Sequence, residues 1–336
     1  MVEHQRSMFK SDYPPGHLRK LTLSYLKDWI IVAVLTVGFF LIDKISPFQR
    51  DFSLQNKSIS FPYKDKETIP IWLGVVFALV IPLVILVFIA LVIKRSPYDC
   101  HNALLGLCLS LSLALMFTDV LKITVGRHRP DFISRCQVLN ENGQPPQDPP
   151  LGLTSTAICT QTNEYIFNDG LKSFPSAHTS LGFSGLGFLS LYLAGKLHMF
   201  DGRGHTYKSF LVVLPLIGAL LIGISRICDY RHHWSDVFIG ALIGISTASF
   251  SYRQYYPSLG ISRCDKPFSP RIPRPISKAV NILSRDETHE NTEEFNLPQF
   301  KRSTSKVDQL RSVAVDNEHE MKPNVHHTKV LSQNDE

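Results

Sequence analysis

Between Ser225 and Asp236 the chain reads Ser-Arg-Ile-Cys-Asp-Tyr-Arg-His-His-Trp-Ser-Asp, with two arginines, two histidines and two aspartates between apolar runs. Leu211 to Ile224 precedes this stretch and Val237 to Ser249 follows it. A charge at the centre of a membrane helix costs about 2.5–3.5 kcal/mol on insertion scales. Such groups therefore collect where they pair, reach water or meet a ligand. Two other segments have the same character: Lys122 through Arg129 closes one apolar run, and Phe174-Pro175-Ser176-Ala177-His178 opens another.

The residue types suit a phosphoryl group. Lys122, Arg127, Arg129 and Arg226 supply fixed positive charge. Arginine grips phosphate oxygens bidentately, whereas lysine acts as a point charge. Clamping of this kind stabilises the charge spread over a transferring phosphoryl group. Snorkelling interfacial cations are an adequate alternative for any single one of these residues. They are a weak one for four that converge with two histidines. Ser176 has the character of an N-cap and would leave the amides of Ala177 and His178 free, which makes an anion site of a helix start. His178 and His232 can each act as nucleophile or acid near neutral pH. Asp236, four residues after His232, could hold the other ring nitrogen of that imidazole. The competing role for Asp236 is capping the helix that follows. A metal pair at His232 and His233 is disfavoured, because adjacent histidines diverge and no clustered carboxylates accompany them. No metal or other cofactor is expected.

The elements that must position these groups are apolar. Of 336 residues 44% are hydrophobic, 19% are charged and the net charge is +6. Six apolar stretches run over Leu26–Ile42, Ile69–Ile93, Ala103–Leu121, Thr179–Leu197, Phe210–Ile224 and Asp236–Tyr252. The second has no charge in 25 residues and is the surest span. The expected fold class is all-α: a six-helix transmembrane bundle over residues 25–255, preceded by a cytosolic segment, 1–24. Residues 256–336 are expected to be a disordered cytosolic tail, since they bury too little apolar surface to offset ordering. More than 20 largely polar residues precede the first run, so it is expected to act as a signal-anchor.

Six spans put both termini on one side. Arg19, Lys20 and Lys27, then Lys94 and Arg95, then the cations after the sixth run favour a cytoplasmic assignment for it. Arg50, Lys57, Lys64 and Lys66 in the opposite loops weaken the bias. Alternation then brings the end of the third run, the start of the fourth, the end of the fifth and the start of the sixth to one non-cytoplasmic face. Asn56-Lys57-Ser58 is a glycosylation acceptor pattern on that side. Cys136 and Cys159 share one long loop there, either as a disulfide in an oxidising lumen or as two thiols.

These segments resemble the type 2 phosphatidic acid phosphatase (PAP2) superfamily, the lipid phosphate phosphatases. The first motif, Lys-x6-Arg-Pro, stands here as Lys122 to Arg129-Pro130; the second as Pro175-Ser176-Ala177-His178; the third as Ser225-Arg226, His232 and Asp236. The resemblance spans roughly residues 20–255. Gly126 to Gln137 and Asp229 to His233 are especially similar to the fungal diacylglycerol pyrophosphate phosphatases.

The resemblance implies that Lys122, Arg129, Ser176, the amide of Ala177 and Arg226 bind phosphate. It implies that His232 attacks phosphorus to form a phosphohistidine, that Asp236 orients it, and that His178 protonates the leaving oxygen. One departure is Ala177 where the family has glycine, which would be strained at a positive φ. The related vanadium haloperoxidases share the oxyanion site but are typically soluble. The implied activity is magnesium-independent hydrolysis of phosphatidate, lysophosphatidate and diacylglycerol pyrophosphate. The implied setting is the lumenal side of a vacuolar, endoplasmic reticulum or Golgi membrane, with the plasma membrane as a further candidate. The expected partners are the bilayer and the lipid phosphate, with no nucleic acid. A phosphatase of sphingoid or polyprenyl phosphates and a catalytically silent lipid-binding protein are the competing readings. The sequence leaves the substrate ranking and the oligomeric state open.

Overall fold

The computed structural model describes residues 17–138 and 147–272. The long helices are α1, His17–Ile42; α2, Ile71–Ile93; and α3, Pro97–Val125. Two short helices follow, α4, Phe132–Cys136, and α5, Glu164–Gly170. The chain then forms α6, Ala177–Lys196; α7, Thr206–Cys228; and α8, Trp234–Tyr255. Among the described residues there is no strand, only a lone antiparallel bridge between Phe52 and Thr154.

Five of the six expected stretches, α1, α2, α3, α7 and α8, are long and apolar enough to cross a membrane. α6 forms over 20 residues but is not one of the five. Its composition explains the difference. α6 carries four glycines and three serines, and 14 of its residues are buried, so it is the helix the others surround. Small residues let helix backbones approach closely. A Cβ on Gly185 would stand 1.7 Å from the Ala78 carbonyl oxygen of α2. One on Gly244 of α8 would stand 2.6 Å from both Ser180 O and Phe183 Cβ of α6. α2 is itself irregular, with α-helical turns interrupted by wider π turns at Val76–Val80 and Ile89–Ile93. Pro82 cannot donate to the carbonyl four residues back, so the ladder before it shifts to a five-residue spacing, as in the Ile81 N–H bond to Val76 O.

The polar loops at one end of the bundle fold into a cap with its own small core of Phe52, Ile59, Phe132, Cys136 and Leu171. Cys136 and Cys159 are joined as a disulfide there, Cα to Cα 4.6 Å. Asn56 is exposed, and its side-chain oxygen accepts from the Ser58 amide at 3.0 Å.

At the opposite end the chain departs from expectation. Residues 256–272, read from sequence as the start of the tail, pack back onto the bundle. The Phe268 amide bonds Tyr255 O at 3.0 Å, Tyr98 Oη donates to Phe268 O at 3.0 Å, and Arg271 pairs with Asp28 at 2.5 Å. Beneath them the buried Asp99 carboxylate accepts from Tyr192 Oη at 2.8 Å, Lys196 Nζ at 2.7 Å and Tyr256 Oη at 2.9 Å. The remainder of the expected tail lies outside the described residues.

Candidate active site

Three turns deliver the functional groups to the capped end. α3 ends at Gly126, whose φ of 58° suits glycine, and a Cβ there would meet Phe48 O at 1.9 Å. That stop leaves Lys122 on the last turn of α3 and sends Arg127 and Arg129 across the end of the bundle. The turn between α7 and α8 closes on Arg226, whose carbonyl accepts the amides of Arg231 at 3.0 Å and His232 at 3.2 Å. The third turn, before α6, is tied to α8 by the Ser176 amide, which donates to Asp236 O at 3.0 Å.

The structure brings the predicted residues together. His232 is buried, and its Nδ1 lies 2.6 Å from the Ser173 carbonyl oxygen. A carbonyl has no hydrogen to give, so Nδ1 carries the proton and Nε2 keeps its lone pair. Burial, followed by the charges of Arg129, Arg226 and Lys122, pushes the His232 imidazole well below the ordinary histidine range, with the Ser173 carbonyl opposing. The same three cations act electrostatically on His178. The Nε2 of His178 is buried without a hydrogen-bond partner, and its ring packs against Gly74 of α2.

Arg129 and Arg226 are both buried, and each is held at one corner. Arg129 Nη2 donates to Asp169 Oδ1 at 2.6 Å, and Arg226 Nη1 donates to Glu67 Oε2 at 2.9 Å and to Ile69 O at 3.2 Å. The Nε of each is buried with no partner. The Lys122 ammonium makes no hydrogen bond or ion pair among the described residues, although its carbonyl accepts the Gly126 amide at 3.4 Å. Burial alone would raise the Asp169 carboxyl, but Arg129, Arg135, Lys122 and Arg231 outweigh it and hold it at about 2. It is an anion at any physiological pH.

Ser176 occupies the N-cap position, yet its side chain caps nothing and accepts instead from Thr179 Oγ1 at 2.9 Å. The first amides of α6 thus have no capping oxygen from Ser176. Ala177 is the first helical residue and is not among the positive-φ positions, so alanine fits where the family motif has glycine.

Asp236 differs from expectation. Its carboxylate is 3.9 Å from His232 Nδ1, too far for a hydrogen bond, because Ser173 O has taken that position. The carboxylate instead accepts from Arg127 Nη1 at 2.6 Å, Ser173 Oγ at 2.6 Å and the His233 amide at 2.9 Å. Asp236 therefore ties down the residue whose carbonyl orients His232, and it closes a capping box with His233 at the start of α8. Arg127, grouped by sequence with the phosphate-gripping cations, is spent on Asp236 and Ser235.

Glu67, Asp169, Ser173 and Arg231 were not legible as site residues. Each reaches the site through the tertiary fold, and no spacing rule connects Glu67 in the first loop to Arg226 at the end of α7.

Residues 103–259 match the PAP2 superfamily. Lipid phosphate phosphatase 2 of Arabidopsis thaliana is 41% identical over 240 residues, covering 69% of this chain and 78% of the relative. The probable diacylglycerol pyrophosphate phosphatase 1 of Schizosaccharomyces pombe is 35% identical, covering 73% and 86%. Diacylglycerol pyrophosphate phosphatase 1 of Saccharomyces cerevisiae is 32% identical, covering 70% and 80%. No solved structure matches.

Proposed function

Since this chain belongs to the PAP2 superfamily and is a multi-pass membrane phosphatase, we propose that it hydrolyses phosphatidate, lysophosphatidate and diacylglycerol pyrophosphate through a phosphohistidine on His232. The observation that carries this reading is the pair of imidazoles under three cations, His232 buried with a free Nε2 and His178 with a buried, unpartnered Nε2.

The phosphate sits between Arg129, Arg226, Lys122 and the first amides of α6, which together offset its charge. His232 Nε2 attacks phosphorus while the Ser173 carbonyl holds Nδ1–H, so the new P–N bond forms as the P–O bond to the lipid breaks. With the negative charge of the bound phosphate offsetting the three cations, His178 takes up a proton as imidazolium and gives it to the departing oxygen, releasing diacylglycerol or its equivalent. Water then attacks the phosphohistidine, His178 takes the water's proton, and inorganic phosphate leaves with His232 restored. Fixed cations do the electrostatic work usually given to a metal, and Glu67 and Asp169 are occupied by arginines, which supports turnover without magnesium. The site lies at the capped end of the bundle, where a headgroup can enter while acyl chains stay in the bilayer. The disulfide in that cap supports a lumenal orientation.

Purified protein in detergent micelles with EDTA is expected to release phosphate from phosphatidate, and His232→Ala to lose that activity by about 10⁴-fold or more while still folding. Full activity in His232→Ala would remove the assigned nucleophile. A strict magnesium requirement would remove the metal-free reading. A panel of lipid phosphates in the same assay ranks the substrates.

A further inference from the structure

The two guanidinium groups assigned to phosphate come from separate segments, the loop after α3 and the end of α7. Something must fix the distance between them. Arg226 Nη1 pairs with Glu67 Oε2 at 2.9 Å. The other oxygen of Glu67 is 3.4 Å from Arg231 Nη2. Arg231 Nη1 is 3.8 Å from Asp169 Oδ2, and the other oxygen of Asp169 is 2.6 Å from Arg129 Nη2. The result is an arc of alternating charge, Arg226–Glu67–Arg231–Asp169–Arg129. Arg231 is only 4% exposed at its side chain, donates to Lys64 O at 2.7 Å, and lies over the Tyr63 ring at 4.8 Å, so the keystone is itself anchored. Arg135 braces the arc from behind, donating to Asp169 Oδ2 at 2.9 Å. Both carboxylates take one corner of an arginine and leave its Nε buried and unpartnered. A buried donor without an acceptor is costly, so those two edges are open to an acceptor that the protein does not supply; Arg231 Nε and Arg135 Nη2 in the same arc are unpartnered as well.

We propose that Glu67, Arg231 and Asp169 are positioning residues that set the separation and orientation of Arg129 and Arg226 for a phosphoryl group. This rests on the phosphatase reading above. Glu67 lies outside residues 103–259, the part that matches the superfamily, so the first loop completes the site from beyond that region. Misplacing a clamp by about 1 Å costs on the order of 100-fold in rate.

The test exploits the sign of the charge change. Glu67→Gln removes a negative charge from beside an anion site, so charge alone would tighten orthovanadate and phosphate inhibition. Positioning demands the reverse: weaker orthovanadate inhibition and kcat for phosphatidate lowered about 10–100-fold, with KM changed far less. Glu67→Asp, which keeps the carboxylate, is expected to recover part of the loss. Asp169→Asn is expected to repeat the pattern from the other side of the arc. Monodisperse, EDTA-treated protein is used throughout, and an unchanged thermal midpoint marks each variant as folded. Unchanged or tighter vanadate inhibition with normal kcat in Glu67→Gln would overturn the proposal, as would a kcat loss in Glu67→Gln that Glu67→Asp does not relieve. A wild-type protein inactive on every lipid phosphate would instead overturn the underlying phosphatase reading.

Discussion

His232 shows how one contact fixes chemistry. The Ser173 carbonyl dictates that Nδ1 holds the proton, and burial beneath Arg129, Arg226 and Lys122 keeps a second proton off Nε2. A histidine in an unfolded chain titrates near about 6.5. Because the folded value is depressed, the stability tied to this group is complete above about pH 6.5 and is lost as pH falls toward the folded value. In 15N-histidine spectra His232 is expected to remain the neutral Nδ1–H tautomer at pH 6. Arg129→Ala, which removes the largest of the opposing charges, is expected to move its titration upward toward the ordinary range. An imidazolium at pH 6 in the wild-type spectrum would contradict the assignment. The family resemblance implies His232 as the attacking imidazole, and the sequence reading pairs it with Asp236. Four residues on a helix suggest a contact between them. The structure instead starts α8 at Trp234, which leaves His232 before the helix and hands its Nδ1 to a carbonyl from another loop.

Among the elements, α6 decides the architecture. It presents Ser176 and His178 at the site and touches α2, α7 and α8 through small residues. Gly185 permits an approach to α2 that any side chain would block, whereas a Cβ on Gly187 would meet Ala248 Cβ at an ordinary 3.5 Å. Gly185→Ala is therefore expected to lower stability by about 1–3 kcal/mol or more. It is also expected to cut activity, because displacing α2 shifts Gly74 against the His178 ring. Gly187→Ala is expected to leave both unchanged. Thermal midpoints and phosphate release of the two variants decide it, and equal behaviour would show that the α2–α6 crossing is not limiting. Hydropathy located all six runs. It could not show that α6 is the centre of the bundle, since glycine and serine read as weakly apolar in a sequence and become tight helix crossings only when neighbours are in place.

Across the whole molecule, one end carries the candidate site and the other is bound up by residues 256–272. Tyr256 and Arg271 bring donors to Asp99 and Asp28, so a chain ending at Tyr255 leaves the buried Asp99 carboxylate short of one hydrogen bond. Such a bond to a charged group is worth about 1.5–3 kcal/mol. A chain ending at Tyr255 is expected to have a lower thermal midpoint than one ending at Ile272, and matching midpoints would deny the segment a structural role. Composition misread this stretch because its apolar residues are scattered, and scattered residues anchor only when a surface already exists to receive them. What the sequence determined by itself is the helical class, the apolar runs, and the cations and imidazoles of the site, for those follow from hydrophobicity and from residue types at fixed local spacing. What tertiary structure alone decided is which group holds which. Ser173 rather than Asp236 meets His232, Arg127 is held by Asp236 and Ser235, and Glu67, Arg231 and Asp169 link Arg226 to Arg129, because such partners are distant in the chain, Glu67 and Arg226 by 159 residues, and no local rule relates them.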